Sequence, residues 1–385
     1  MRSLVILALA IAGAAGAAHP NISADQSPAQ SHLLKVARTY LGGDTAAAIE
    51  LLRGDAIEGQ RRIAREVVQT HGIVVGGSAP AELRWTLPLL RAAGAVHMES
   101  ALDHYKRGGR NQQVIIAQME VGEILLDEVG RLEAKASDAQ RWEWAIGEQI
   151  LSDGQFHGAR AVLTRACQRY PHQPALLVAC GTVYETFASF NLNSAAVTQA
   201  FGGMTGMTSE PEPSALLSFR AARKDELKRA RDAFEEAVSL EFSNPEATLR
   251  LGKVRLEQGD LDDAAKALDW LVHLRTDLRV TYLSRLFLGR AREKQKRFDE
   301  AIVLFREATT VIAAQSALLA LTKRLHAAGR EPDALALAEA VTGDREHEDP
   351  WWSYRHGQYW LVEPALELLR EQTRATGASA QQSGR

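Results

Sequence analysis

Apolar residues recur at three- and four-residue spacing along most of the chain, the period of helices that bury one face. Ser31 to Tyr40 and Thr45 to Leu52 read as two short helices around the turn Gly42-Gly43-Asp44. Ala56 to Gln69, Leu83 to Lys106 and Gln112 to Ala136 read as three more. Gly72-Ile73-Val74-Val75-Gly76-Gly77 is the one strand-like run, and it ends in loop residues. Ahead of the first helix, residues 18–30 hold Pro20, Asn21, Ser23, Ser27 and Pro28 and predict a flexible stretch. The pattern predicts an all-α chain, with residues 31–139 forming an N-terminal helical region of degenerate repeats.

From Gln140 onward the helical pattern repeats. Gly147 is followed at twelve residues by Ala159, four later by Leu163 and three later by Ala166. Gly252 gives Ala264, Leu268 and Leu271 at the same spacings, and Gly289 gives Ala301, Phe305 and Ala308. Gly154 with Phe156, Gly259 with Leu261, and Phe298 mark the intervening turns. A degraded copy has Thr322 in the glycine place, then Gly329, Ala334 and Ala338. Small residues fall where two helices cross, and larger apolar residues fill the gaps. One copy is interrupted: Gly181 lies in a helix predicted from Pro174 to Thr186. The partner pattern Ala230, Phe234 and Ala237 appears only in Asp225 to Leu240. The insertion between them, residues 187–222, includes an uncharged stretch with Phe187, Phe190, Phe201, Met204 and Met207. Such a stretch is poorly suited to water and is expected to fold back on the rest of the chain, toward a groove if there is one.

This spacing resembles the tetratricopeptide repeat family, whose antiparallel helix pairs recur at about 34 residues. The resemblance covers roughly residues 140–342. It implies a right-handed superhelical solenoid with a concave groove, where family members mostly bind peptides or helices of other proteins. In that family the residue just after the first-helix glycine often faces the groove. Those residues are Glu148, Thr182, Lys253, Arg290 and, in the degraded copy, Lys323, with Lys294 one turn beyond Arg290. Three cations on one track imply an acidic peptide or a C-terminal carboxylate as partner. The alternative is a solvated face with ordinary Lys and Arg.

Of the 385 residues, 45 are basic and 48 acidic, so the formal net charge is -3 and gives no drive toward nucleic acid or an anionic membrane. Arg2, the apolar run Leu4 to Ala12 and Ala15-Gly16-Ala17 have the order of a cleavable signal peptide, residues 1–17. The expected destination is periplasmic or secreted. The run falls short of the roughly 20 residues of a membrane span, and no later segment is apolar enough for one. Cys167 and Cys180 could pair in an oxidising compartment, or be two small buried residues.

There is no HExxH, Walker loop or dinucleotide fingerprint, so no catalytic site or cofactor is expected. His97 and His104 share a helix face near Glu99 and Asp103, but a metal site would need ligands from another helix. The plainer reading is polar residues bordering the groove. In the segment 343–373, Asp349 caps a helix that Pro350 opens and that runs to about Gly357. A last helix spans Glu363 to Thr373, and residues 374–385 read as a disordered tail. Trp351, Trp352, Tyr354, Tyr359 and Trp360 are expected to cover the apolar end of the last repeat, or else to form a plate that recognises glycan or peptide. The function these observations favour is a scaffold docking a protein or peptide partner. A structural subunit of an envelope assembly comes second, and a metal-dependent hydrolase built on the N-terminal helices third.

Overall fold

The computed structural model describes residues 28–74, 85–109, 111–204, 213–343 and 348–383, and every regular element within them is a helix. The signal segment 1–17 lies outside the described residues. The N-terminal region comprises α1 (Pro28–Leu41), α2 (Thr45–Leu52), α3 (Ile57–Val74), α4 (Leu87–Lys106) and α5 (Gln112–Glu133). Five helix pairs follow: α6 (Ala139–Ser152) with α7 (Phe156–Arg169), α8 (Pro174–Met204) with α9 (Pro213–Leu240), α10 (Pro245–Gln258) with α11 (Leu261–His273), α12 (Leu278–Lys294) with α13 (Phe298–Val311), and α14 (Gln315–Ala327) with α15 (Glu331–Gly343). The chain ends with α16 (Pro350–Ser353), a 3-10 turn Tyr354–His356, and α17 (Tyr359–Ser383).

Short polar residues set many of the boundaries. Asp44, Asn244 and Asp277 each accept a hydrogen bond from the backbone N–H three residues on, opening α2, α10 and α12. Gly259 closes α10 at φ +93°, a conformation costly for any residue with a Cβ.

The repeat glycines are contact points. A Cβ on Gly252 of α10 would lie 2.6 Å from Leu268 of α11, and one on Gly289 of α12 2.5 Å from Phe305 of α13. Gly147 meets Leu163 and Gly181 meets Phe234 in the same way. In each of these four pairs the first helix presents bare backbone, and the second lays a fully buried side chain across it, worth roughly 1.5–3 kcal/mol. The same device joins α4 to α5, where a Cβ on Gly94 would lie 2.6 Å from Leu126. The N-terminal region therefore contains a further helix pair, with α1, α2 and α3 packed around it. The first helices α4, α6, α8, α10 and α12 touch one another in succession and form one continuous face, the A face. Cys167 on α7 and Cys180 on α8 are joined by a disulfide with Cα atoms 6.8 Å apart.

The insertion lengthens both helices of its pair, α8 running on to Met204 and α9 starting at Pro213, with 205–212 outside the described residues, and its first residue, Phe187, packs against His157 and Arg160 of α7. A long helical hairpin satisfies its backbone internally. The strand-like run is no strand as far as it is described, since Gly72 to Val74 close α3. The tail expected to be disordered from residue 374 continues α17 to Ser383.

Replacing Gly252 by Ala should cost about 1–3 kcal/mol through overpacking against Leu268. Replacing Gly59, which sits within α3 with nothing near its missing Cβ, should instead stabilise by about 0.5–1 kcal/mol. Urea unfolding of the two variants checks the contrast, and equal effects would remove the close-approach explanation.

Candidate functional site

Along the A face the side chains are charged, yet many are buried. Arg250 on α10 is fully buried. Its Nε donates to Glu246 Oε1 one turn back at 2.6 Å, and its Nη1 donates to Glu185 Oε2 on α8 at 3.3 Å. Lys253 Nζ donates to Glu185 Oε1 at 2.6 Å and to Glu257 one turn on. Arg279 on α12 reaches back to Glu246. Burial alone would lower the Lys253 pKa, but Glu185 and Glu257 hold it above its ordinary value. Burial alone would raise Glu246, and Arg250 and Arg279 hold it below. This ionic floor is thus internally neutralised.

The chain's own C-terminal run lies on the floor. Asp349 takes the exposed start of α14, accepting from Ser316 N at 2.6 Å and from the Tyr282 hydroxyl at 3.3 Å. It also caps α16 through Trp351 N. Tyr354 is 2% exposed. Its hydroxyl donates to Glu185 Oε2 at 3.2 Å, its carbonyl accepts from Arg250 Nη2 at 2.9 Å, and the Arg250 guanidinium lies 4.3 Å from its ring centre. Trp351 stacks on Tyr354, meets Phe287 edge-on and lies under Arg290 at 5.1 Å. His356 Nδ1 sits 2.8 Å from the Ser152 carbonyl of α6, and Gln358 N donates to Glu148 Oε2 at 3.0 Å. Gly357, at φ +64°, passes so close to Glu148 that a Cβ would overlap its carboxylate. From there α17 crosses onto α6, α4 and α1, burying Val362, Leu366 and Leu369. Arg370 pairs with Glu99 at 2.6 Å, and Arg374 donates to Thr45 Oγ1 at 3.2 Å.

The expected track of three open cations is therefore not open. Lys253 is buried among carboxylates, and Arg290 is covered by Trp351. Lys294 donates to the Leu256 carbonyl at 3.1 Å, and Lys323 alone of the three stands exposed, on α14. Thr182 is buried with its hydroxyl returned to the Val178 carbonyl. Glu148 is buried beneath Gln358. What the sequence pattern did not disclose is Glu185, 68 residues from Lys253, and the return of the C-terminal run. The aromatic cluster is likewise no end cap. Trp351 and Tyr354 turn toward α10 and α12, while the last pair still exposes Leu319 and Leu335. Trp352, Tyr359 and Trp360 stay partly exposed. Beside them is an open cavity of about 600 Å³ lined by Gln149, Asp153, Trp352, His356, Tyr359 and Glu363 among others.

His97, Glu99 and Asp103, three of the four residues of the metal reading, go separate ways. His97 is fully buried, bonded to Gln118 at 3.1 Å, and burial pushes its pKa down to about 4. Glu99 pairs with Arg370, and Asp103 with Arg53 and Arg107. Among the described residues no three His, Cys, Asp or Glu side chains converge as metal ligands.

Glu148 gives the site a pH dependence. Burial pushes its carboxyl up from 4.5 to about 7, against the lowering pull of the Gln358 N–H and of Arg250. The folded chain therefore binds a proton more tightly here than the unfolded chain. Stability from this group is full below about pH 4.5 and falls as pH rises to about 7. Glu148→Gln keeps an acceptor for Gln358 N and should remove that fall. Its stability relative to the parent should grow between pH 5 and 8 by an amount on the order of 3 kcal/mol. Parallel pH profiles of unfolding free energy would refute this.

Comparison with known proteins bears on the pairs themselves. Residues 220–269 and 249–317 match a tetratricopeptide repeat model. A tetratricopeptide repeat protein of Parabacteroides merdae is 12% identical, over 74% of this chain and 93% of its own, with a TM-score of 0.42. Pseudomonas aeruginosa pilF is 14% identical, over 64% of this chain and 99% of its own, at 0.41. A monomeric mutant of the human protein IFIT1, solved with Gppp-AAAA, is 16% identical, over 88% and 68%, at 0.42. None reaches a TM-score of 0.5, and none bears on what this chain binds. No curated protein matches the chain. Glycine-seated helix pairs recur through residues 220–317, the stretch that the family model matches, and this stretch consists of tetratricopeptide repeats.

Proposed function

We propose that this protein is an exported, non-catalytic scaffold that holds a protein partner along its A face. The observation that carries the reading is that the A face already holds a peptide segment. The C-terminal run is seated by buried aromatics, by a backbone carbonyl given to Arg250, by a backbone N–H given to Glu148, and by a carboxylate at the start of α14. Grooves that recognise peptides use these same contacts. Export is supported by the signal-like order of residues 1–17, and by a Cys167–Cys180 bridge of a kind that persists in oxidising compartments.

For export, the mature protein should begin near Ala18, and the denatured, unreduced chain should titrate no free thiol. Opening the bridge, which spans 13 residues, should cost roughly 3 kcal/mol of stability. A full-length product with two free thiols would defeat the export reading. For the scaffold, a photoreactive residue replacing Trp352 or Tyr359 at the groove edge should give one discrete protein adduct in envelope extract. The same residue replacing exposed Val303 on α13 should give none. Adducts that are absent from the groove positions, or equal at all three, would defeat it.

A further inference from the structure

The floor beneath the C-terminal run is charged where a permanent core contact would be apolar. Arg250, Lys253, Glu185 and Glu246 are each at most 5% exposed, and the run covers Arg250 and Lys253 with the rings of Tyr354 and Trp351. Uncovering an apolar floor would expose hydrocarbon to water. Uncovering this one hydrates groups that are already paired with one another, and buried ion pairs add little net stability over a wet alternative. The covering segment is short and irregular, a four-residue helix, a 3-10 turn and the positive-φ Gly357. Its contacts fall at separate points: a carboxylate on Ser316 N, a ring against Phe287, and a hydroxyl and carbonyl shared between Glu185 and Arg250.

We propose that this floor is a recognition site whose resident ligand is tethered, and that a partner segment of the same chemistry exchanges with it. The chemistry is read from the occupant. It is a carboxylate, an aromatic residue two positions on and a tyrosine five positions on, as in Asp349, Trp351 and Tyr354. The carboxylate serves the start of α14 and the Tyr282 hydroxyl. The two rings serve Arg250, Lys253 and Arg290, where a cation over a ring face is attracted by its quadrupole. The tyrosine hydroxyl donates to Glu185, so phenylalanine in that place would leave the carboxylate one donor short. The partner is thus an acidic, aromatic segment of another protein. This deepens the scaffold reading and rests on it. Because the tethered copy competes at high effective concentration, the intact chain should bind such a segment only weakly.

The test uses the full chain and a fluorescent peptide reproducing residues 348–360. A chain carrying Trp351→Ala and Tyr354→Ala, which weakens the tethered copy, should bind the peptide at least tenfold more tightly than the parent. A peptide with alanine in the place of Tyr354 should lose at least tenfold. A double variant of parental helix content that binds no better than the parent would overturn the proposal. If groove-edge photo-adducts persist in that case, the scaffold reading stands without this one. Should the double variant not fold, hydrogen exchange on the parent decides. Amides of 351–358 should exchange through an opening that leaves α10 and α12 protected, and exchange only in step with those helices would overturn the proposal. A parent chain that is dimeric and is split by the peptide would make the occupant a second copy, overturning the separate partner.

Discussion

A guanidinium with no exposure to water must find all its partners inside the protein, and Arg250 is in that position. Its partners come from three places: Glu246 on its own helix, Glu185 on α8, and the carbonyl of Tyr354 from near the end of the chain. The requirement therefore couples elements that share no sequence neighbourhood. α8 and α10 must stack in the register that brings Glu185 between Arg250 and Lys253. The C-terminal run must then arrive with a backbone carbonyl free of helix bonding, which the break from α16 into the 3-10 turn supplies. Ion pairs of this kind discriminate among alignments more than they add stability. The apolar seams between paired helices hold the repeats together, while the charged cluster determines how they face one another.

The seams were legible in the sequence because both members of each contact recur at one short spacing. Gly252 with Leu268 and Gly289 with Phe305 are the same offset seen twice, and Gly181 still finds Phe234 across an insertion because the pattern resumes intact on the far side. Gly94 and Leu126 make an equivalent contact at a different offset in longer helices, so no repetition announced them. At the groove the local chemistry was legible and the destination was not. Asp349 and Pro350 do open a helix, as their side chains dictate. Val362, Leu366 and Leu369, at helical spacing, mark a face that must be covered, yet spacing cannot say that α4 and α6 cover it. Lys253 reads as a surface cation because Glu185, the partner that draws it inward beside Glu257 of its own helix, sits on another repeat.

The disulfide ties α7 to α8 within two turns of Glu185. Cys180, Glu185 and the Gly181 seam share the first half of α8, so the carboxylate at the centre of the floor projects from a segment held both covalently and by packing. Beyond that half, α8 and α9 extend as the long hairpin. The insertion is thus accommodated without disturbing the charged cluster, since lengthening both helices of one pair moves neither end of the stack.

A stack of helix pairs touching only in succession behaves as a spring, its curvature set by small rotations at each junction. Here the terminal run and α17 cross the A face, touching α12, α10, α8, α6, α4 and α1 in turn. They stand to the stack as a string stands to a bow. While the string is seated, bending at any one junction strains contacts at several others, and the curvature is held as a single quantity. Slackening it at Trp351 and Tyr354 would return each junction its own compliance, so that tension along a few residues governs the shape of the whole arc.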